Sequence, residues 1–361
     1  MIANDFTAVV MQPVTVCNLD CSYCYLPTRH LNLKMFEWVA KDIAKAISEQ
    51  STTKQVAVIW HGGEPLATGL NHFRKLLLPF EELRLSGKVA HYIQTNATLI
   101  NSKWCDLFEQ FDFRIGVSID GPEWANLNRI DLAGKPTFKK IMNGINWLKK
   151  REIPFSVIAV VHAANITRPE ELYSFFSELG CHSLAINVEE QEGVNVSGGL
   201  IDDNSVSTFW KMLYASWESN PVIRIREFDM SLQYVEAILE ELNIENAFKM
   251  DPFPTISWDG GVILLSPEFA GIKSEVHNDF VVGNLVNNNL SDIIRMGRNA
   301  QYVVDFVEGV MACKAECPYY QFCGGGQASN KFFEHGTTKA TETIYCRNSK
   351  KRLLEAILDS V

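Results

Sequence analysis

The sequence predicts an α/β fold, a partial (β/α)6 TIM-like barrel followed by a smaller second unit. Two observations predict it. Through the first half of the chain six short apolar runs alternate with amphipathic helical stretches, the pattern of repeated βα units around a parallel sheet. After Glu192 that rhythm breaks, and from Pro252 short strand and turn signals lead into a cysteine cluster. A chain of 361 residues with 47% hydrophobic content is long enough to bury the core such a fold needs.

The strand candidates, in order, are "FTAVVMQPV" from Phe6, "QVAVIW" from Gln55, "HYIQT" from His91, "FRIGVSI" from Phe113, "FSVIAVV" from Phe155 and "HSLAINV" from His182. Each is short and rich in Val, Ile or aromatics, as a strand covered on both faces should be. Between them lie "MFEWVAKDIAKAISEQ", "HFRKLLLPFEELRL", "SKWCDLFEQF", "TFKKIMNGINWLKKR" and "PEELYSFFSELG", whose apolar residues recur at three and four, the helical period. "GVNVSGG" from Gly193 reads as loop, and two helical stretches follow between about Asp203 and Phe248. In "ISWDGGVILLSPE" an Asp-Gly-Gly turn between apolar runs reads as a hairpin.

Charge and composition exclude several function classes. A net charge of -10 and a pI near 5.4 argue against a surface that tracks phosphates, so no nucleic-acid partner is expected. The chain shows no charged-then-apolar leader, and no apolar run approaches the roughly eighteen residues that span a bilayer. A cytoplasmic location without membrane attachment is therefore expected. Nine cysteines are an odd number for a disulfide framework, which points to metal or redox chemistry.

The first cysteines carry that chemistry. Cys17, Cys21 and Cys24 follow the first strand, so they sit on a loop at the barrel face where such folds build their sites. Soft thiolates this close select zinc or iron–sulfur. Structural zinc wants four ligands, and no fourth cysteine or suitably spaced histidine follows locally, the nearest being His30. Three thiolates on a four-iron cluster leave one iron open, able to chelate the amino and carboxylate groups of S-adenosylmethionine (SAM). Cys105 and Cys181 read as plain core residues.

With its Cys-x3-Cys-x2-Cys spacing and Tyr23 before the last cysteine, the sequence resembles the radical SAM superfamily. "WHGGEPL" resembles that family's GGEP element at Gly62, Gly63 and Glu64; "QTNATLI", holding Gln94 and Asn96, is similar to its QTNGT stretch, with Ala97 where glycine is commoner. Ser118 in "VSIDGP", with Arg129 downstream, resembles the pair that holds the SAM ribose and carboxylate. The resemblance implies that Tyr23, Gly62, Gly63, Glu64, Gln94, Asn96, Ser118 and Arg129 form the SAM site.

Near the C-terminus Cys313, Cys317, Cys323 and Cys346, with "GGG" and "VVGNL", resemble the SPASM domain, the auxiliary-cluster extension of radical SAM enzymes that modify peptides. Gln327 and Ser266 stand where that domain carries further cysteines. The resemblance therefore implies one auxiliary 4Fe-4S cluster on the four retained cysteines, with zinc on the same four as the alternative. The expected division is a core over 1–200, a helical bridge over 201–250 and a SPASM-like unit over 251–361.

With "VVMQPVTVCNLDCSYCYLP", "IWHGGEPL", "GVSIDGP", "INVEEQEG", "LLSPEFAG" and "CGGG" together, the whole chain best resembles the cyclophane-forming peptide maturases of the GRRM and Xye type (triceptide maturases). That resemblance implies a crosslink from an aromatic ring carbon to a β-carbon in a ribosomally made precursor peptide. It also implies two 4Fe-4S clusters, SAM and an external electron donor, flavodoxin or ferredoxin. Glu268 in "LLSPEF" is the first candidate for the proton acceptor, and Glu189 and Glu190 beyond the sixth strand face the same side. The alternatives are formylglycine-type oxidation, epimerisation, thioether formation, or a zinc-stapled peptide-binding protein. No winged-helix segment precedes the first strand, so no fused leader-recognition domain is expected.

Overall fold

The computed structural model describes residues 2–196, 201–240 and 250–360. Strands β1 (Ala8–Met11), β2 (Val56–Trp60), β3 (Val89–Thr95), β4 (Arg114–Ser118), β5 (Phe155–Val161) and β6 (Ser183–Val188) pair in chain order, every pair parallel. They are the six expected runs, mostly trimmed by one or two residues, with β3 beginning two residues early. In β2, β3 and β5 burial alternates strictly along the strand, because successive side chains point to opposite faces.

Five expected helical stretches pack outside the sheet. They form α1 (Glu37–Glu49), α2 (Leu70–Leu77), α3 (Glu81–Leu85), α4 (Ser102–Gln110), α5 (Phe138–Lys150) and α6 (Pro169–Leu179). The second stretch divides into α2 and α3 across a 3-10 turn at Leu78–Phe80, where Pro79 lacks the N–H a continuous helix requires. The Asn101 side chain caps α4 by accepting from the backbone N–H groups of Lys103 and Trp104. Trp60 anchors the core between Phe73 and Phe80, edge-on at 5.1 and 6.0 Å, and its indole N–H donates to His91 Nδ1 at 3.2 Å. Cys105 and Cys181 are buried, as core residues should be.

Beyond β6 come α7 (Asp203–Ser219), the two-residue β7 (Arg224–Ile225) and α8 (Arg226–Leu239). These are the two expected helices; the last part of that stretch, 241–249, and residues 197–200 of the expected loop lie outside the described residues. The expected hairpin is present as β8 (Thr255–Ile256) and β9 (Gly261–Ile263), antiparallel, with Gly260 at φ +83° in the turn. It does not stand apart from the barrel. β8 adds in parallel to β1, and β10 (Val281–Asn284) adds antiparallel to β9, so among the described residues one ten-stranded sheet runs β10-β9-β8-β1-β2-β3-β4-β5-β6-β7. The sheet is open, ending at β10 and β7.

Helices α9 (Leu290–Gly297), α10 (Gln301–Glu316), α11 (Tyr320–Cys323) and α12 (Ala328–His335) build the C-terminal unit. Its core is aromatic: Phe269 stacks on Phe280 at 4.2 Å, with Tyr302, Phe332 and Phe333 around them. Burying each such ring contributes roughly 2–3 kcal/mol. The chain then forms α13 (Ile344–Cys346), a π-helical turn over Arg347–Lys351 and α14 (Arg352–Leu358), which packs on α7 and α8 at the other side of the opening. The indole N–H of Trp210 on α7 ties down the π turn by donating to the Asn348 carbonyl at 2.8 Å. The C-terminal unit thus reaches from the β1 edge to the β6 edge across the mouth of the barrel.

Candidate active site

At that mouth, beyond the C-terminal ends of the parallel strands, lies a cavity of about 530 Å³. The loop after β1 brings Cys17, Cys21 and Cys24 to its wall, all free and half-buried. Local bonds hold that loop: Cys17 N–H donates to the Arg29 carbonyl at 2.9 Å, Cys24 N–H to the Cys21 carbonyl at 3.1 Å, and Arg29 pairs with Asp20 at 2.8 Å. Burial pushes all three thiols up, Cys21 to about 11 even though Arg129 favours its thiolate, and a bound cation would favour their anionic form.

The loop after β2 closes tightly against this one. Gly63 sits at φ +60°, and a Cβ there would stand 2.5 Å from the Val16 carbonyl oxygen, so only glycine fits. Gly62 lies behind it, against the Gln12 side chain and off the cavity wall. Glu64 is 1% exposed, and its carboxylate accepts from Thr95 Oγ1 at 2.6 Å, Asn96 N–H at 2.8 Å and Leu66 N–H at 3.1 Å. Burial pushes Glu64 up to about 7 against the pull of those three donors.

The ends of β3 and β4 supply the next groups. Gln94 Nε2 donates to Ser118 Oγ at 2.8 Å, and Asn96 Nδ2 donates to Asn18 Oδ1 at 3.0 Å and faces Cys17 Sγ at 3.8 Å. Ala97 adopts φ +61°, the left-handed conformation glycine prefers, while packed against Gly144 of α5. Arg129 is 5% exposed and bound by two parallel hydrogen bonds to Asp120, which also accepts from Tyr23 Oη at 2.6 Å and Val160 N–H at 2.9 Å. Two nitrogens of the guanidinium are thus engaged; Nη1 is not bonded to Asp120.

Carboxylates gather on the same cavity. Glu189, Glu190 and Glu192 follow β6, and Glu268 lies in a 3-10 turn, Pro267–Phe269, pinned by the buried Phe269 ring. Burial pushes Glu268 up to about 7. Glu190 and Glu192 go well above the usual carboxylate range, again through burial first, then through repulsion by Glu268 and Glu334 on Glu190 and by Glu190 and Glu268 on Glu192. Asn330 on α12 bridges the pair, donating to Glu190 and, at 3.0 Å, to Glu192, which also accepts from Ser329 Oγ at 2.8 Å. Gln327 lines the cavity, and Ser266 Oγ accepts from Ser329 N–H at 3.3 Å.

The second thiol set is away from this cavity. Cys313 on α10, Cys317 just past it, Cys323 on α11 and Cys346 on α13 are all free. They lie within electrostatic reach of one another, and burial pushes Cys346 up to about 11. Among the described residues no group of three or more His, Cys, Asp or Glu is tight enough to hold a single metal ion. A four-iron cube places its ligands on different irons and does not require one.

Of the residues expected from sequence, the three N-terminal cysteines, Tyr23, Gly63, Glu64, Gln94, Asn96, Ser118, Arg129, Glu189, Glu190 and Glu268 all meet on one cavity; Gly62 does not. Missing from the expectation were Asp120, although it stands in the quoted "VSIDGP", and Glu192, two residues past the chosen pair. Tyr25, Tyr345 and Lys350 also line the cavity, the last from the π turn.

Three loop thiols, a buried carboxylate and a buried guanidinium at the mouth of a parallel partial barrel define a barrel enzyme with a metal and a small polar cofactor at its strand ends. The Radical SAM superfamily pattern matches residues 11–176. An uncharacterized protein of Synechocystis is 33% identical over 98% of this chain and 91% of its own length. The serine-type anaerobic sulfatase-maturating enzyme of Bacteroides thetaiotaomicron is 28% identical, over 90% of this chain and 83% of that one. Among solved structures, anSMEcpe with AdoMet and a peptide bound superposes with TM-score 0.77 at 23% identity, covering 98% and 97% of the two chains. SuiB of Streptococcus suis bound to precursor peptide SuiA does so at 0.69 and 15% identity, over 96% and 76%. The chain belongs to the radical SAM superfamily. It is an enzyme that works with a 4Fe-4S cluster and SAM, and the cavity's donor set fits both.

Proposed function

We propose that the protein is a peptide maturase that joins an aromatic ring carbon to the β-carbon of a nearby residue in a ribosomally made precursor. The observation that carries this reading is Glu268, a carboxyl that burial pushes up to about 7 on the same cavity as the three loop thiols, where a ring proton must be taken up. We assign the SAM-binding cluster to Cys17, Cys21 and Cys24 and one auxiliary 4Fe-4S cluster to Cys313, Cys317, Cys323 and Cys346. The division into a core over 1–200, a helical bridge over 201–250 and an auxiliary unit over 251–361 belongs to the same proposal. When bound, the first cluster with SAM supplies a radical that takes hydrogen from an unactivated carbon, and the second supplies a one-electron acceptor.

The chain's own residues then have defined tasks. Glu64 accepts from the SAM amino group while its three protein donors hold the carboxylate in place. Arg129, oriented by Asp120, offers Nη1 to the SAM carboxylate, and the Gln94–Ser118 pair meets the ribose hydroxyls. The precursor loses a β-hydrogen atom to the radical, its carbon adds to the ring, and one electron and one proton then leave to restore aromaticity. Glu268 takes that proton, and Glu189 and Glu190 line the same cavity. An external one-electron donor completes the cycle.

The relatives favour a second reading on the same cavity. Sulfatase-maturating enzymes align along nearly the whole chain, and oxidation of a peptide Ser or Cys side chain would need the same hydrogen abstraction and the same base. Tandem mass spectrometry of the treated precursor separates the two. Loss of two hydrogens with an unbreakable link between two residues supports the crosslink; an aldehyde at a single residue supports the second reading.

A further inference from the structure

Lys331, on α12, is 1% exposed and its Nζ has no hydrogen-bond partner among the described residues. An ammonium taken from water with no acceptor is among the costliest groups to bury, so its surroundings should supply a counter-charge. No carboxylate pairs with it among the described residues; the Nζ lies 5.1 Å from the Phe306 ring centre. Burial pushes the Lys331 amine below its ordinary range, and the groups that act against this and favour its charged form are the thiols of Cys313, Cys323 and Cys346, three of the four proposed auxiliary-cluster ligands. By contrast Lys351, also near that set, is already paired with Glu342 at 2.6 Å. Gly326, at φ +81°, stands beside the Lys331 stem, leaving the aliphatic chain room to run toward the thiols.

We propose that Lys331 is the buried counter-ion of the auxiliary cluster, kept free of protein acceptors so that its ammonium acts on the cluster's sulfurs and raises its reduction potential. The proposal rests on the auxiliary-cluster assignment made above. Reduction adds one negative charge to the cluster, and a fixed cation in a poorly solvated site stabilises the more negative state more. Hydrogen bonding and charge at the sulfurs are among the levers that set such potentials. A cluster held this way accepts an electron more readily.

The test isolates the auxiliary cluster by replacing Cys17, Cys21 and Cys24 with alanine, then measures its iron content and its midpoint by EPR-monitored redox titration with Lys331, Lys331→Met or Lys331→Arg. With Lys331 retained, about four irons per chain are expected; absence of that iron refutes the assignment, and the proposal with it. Lys331→Met should shift the reduced-to-oxidised ratio at fixed potential at least tenfold toward the oxidised form, about 59 mV for a one-electron couple. Lys331→Arg, which keeps the charge, should stay close to the parent. Should Lys331→Met lose the cluster while Lys331→Arg keeps it, the charge requirement is likewise supported. A Lys331→Met protein with full iron and the parent midpoint overturns the proposal, as does loss of the cluster in both variants, which would show a need for shape and not charge.

Discussion

Arg129 and Asp120 form a buried, doubly hydrogen-bonded ion pair, Nε to Oδ2 at 3.0 Å and Nη2 to Oδ1 at 2.8 Å. The pair aims the guanidinium at the cavity and joins the loop after β4 to Tyr23 within the thiol loop. Removing one partner of such a pair leaves the other charged and unsolvated, which costs about 3–5 kcal/mol. Asp120→Ala should lose about that much stability in urea unfolding. Arg129→Ala should slow SAM cleavage while iron content stays intact, and wild-type cleavage in that variant would remove Arg129 from the SAM site.

Crosslinking should rise with pH through about 7, because Glu268 must be ionised to accept a proton and burial holds it near that value. Glu268→Gln should abolish that rise and slow product formation while leaving SAM cleavage unchanged. Mass spectra of peptide and of 5′-deoxyadenosine from the same reactions check this; equal slowing of both would place Glu268 outside proton transfer.

The same residue sets a stability trend. An unfolded glutamate ionises near 4.3, whereas folded Glu268 keeps its proton to about 7, so between these values the folded state binds more protons. Stability should therefore fall as pH rises across that window, and Glu64, held up to about 7 in the same way, adds to the trend. Melting temperatures of wild type and Glu268→Gln at pH 5 and pH 8 should show the variant gaining relative to wild type at the higher pH.

Anaerobic reconstitution should give about eight irons per chain, four for each thiol set. Alanine at Cys17, Cys21 and Cys24 together should remove about half and abolish SAM cleavage, whereas Cys346→Ala should damage only the auxiliary share. Iron near half the expected value with zinc making up the remainder would refute the auxiliary cluster.

Gly63→Ala should disable the N-terminal site through shape alone. The added Cβ meets the Val16 and Thr15 carbonyl oxygens at 2.5 and 2.6 Å, and the left-handed φ disfavours any side chain. A cost of about 1–3 kcal/mol is expected, read as a lowered melting temperature together with loss of the N-terminal iron.

Much of this was legible in the chain because its signals are local. Strand and helix periods repeat within a dozen residues, so the six βα units could be read with small errors at their ends. The spacing of Cys17, Cys21 and Cys24 lies on one loop, and their tethering there follows from their being neighbours. Strands β7, β8 and β9 carry only two or three residues, too few to show a period, which is why the joining of the C-terminal hairpin to β1 was not foreseen.

The sequence by itself determined the alternation of elements, the thiolate sets and the family. Tertiary structure decided which buried polar group meets which partner. Ser329 reaches Glu192 across 137 positions, and Trp210 holds the π turn at Asn348 across 138. No local pattern encodes such pairs. The raised carboxyls of Glu64 and Glu268 and the Lys331 amine, unpaired among the described residues, have the same origin: they depend on how much water the whole fold removes around a group and on which charges it brings near, and those are properties of the packed chain.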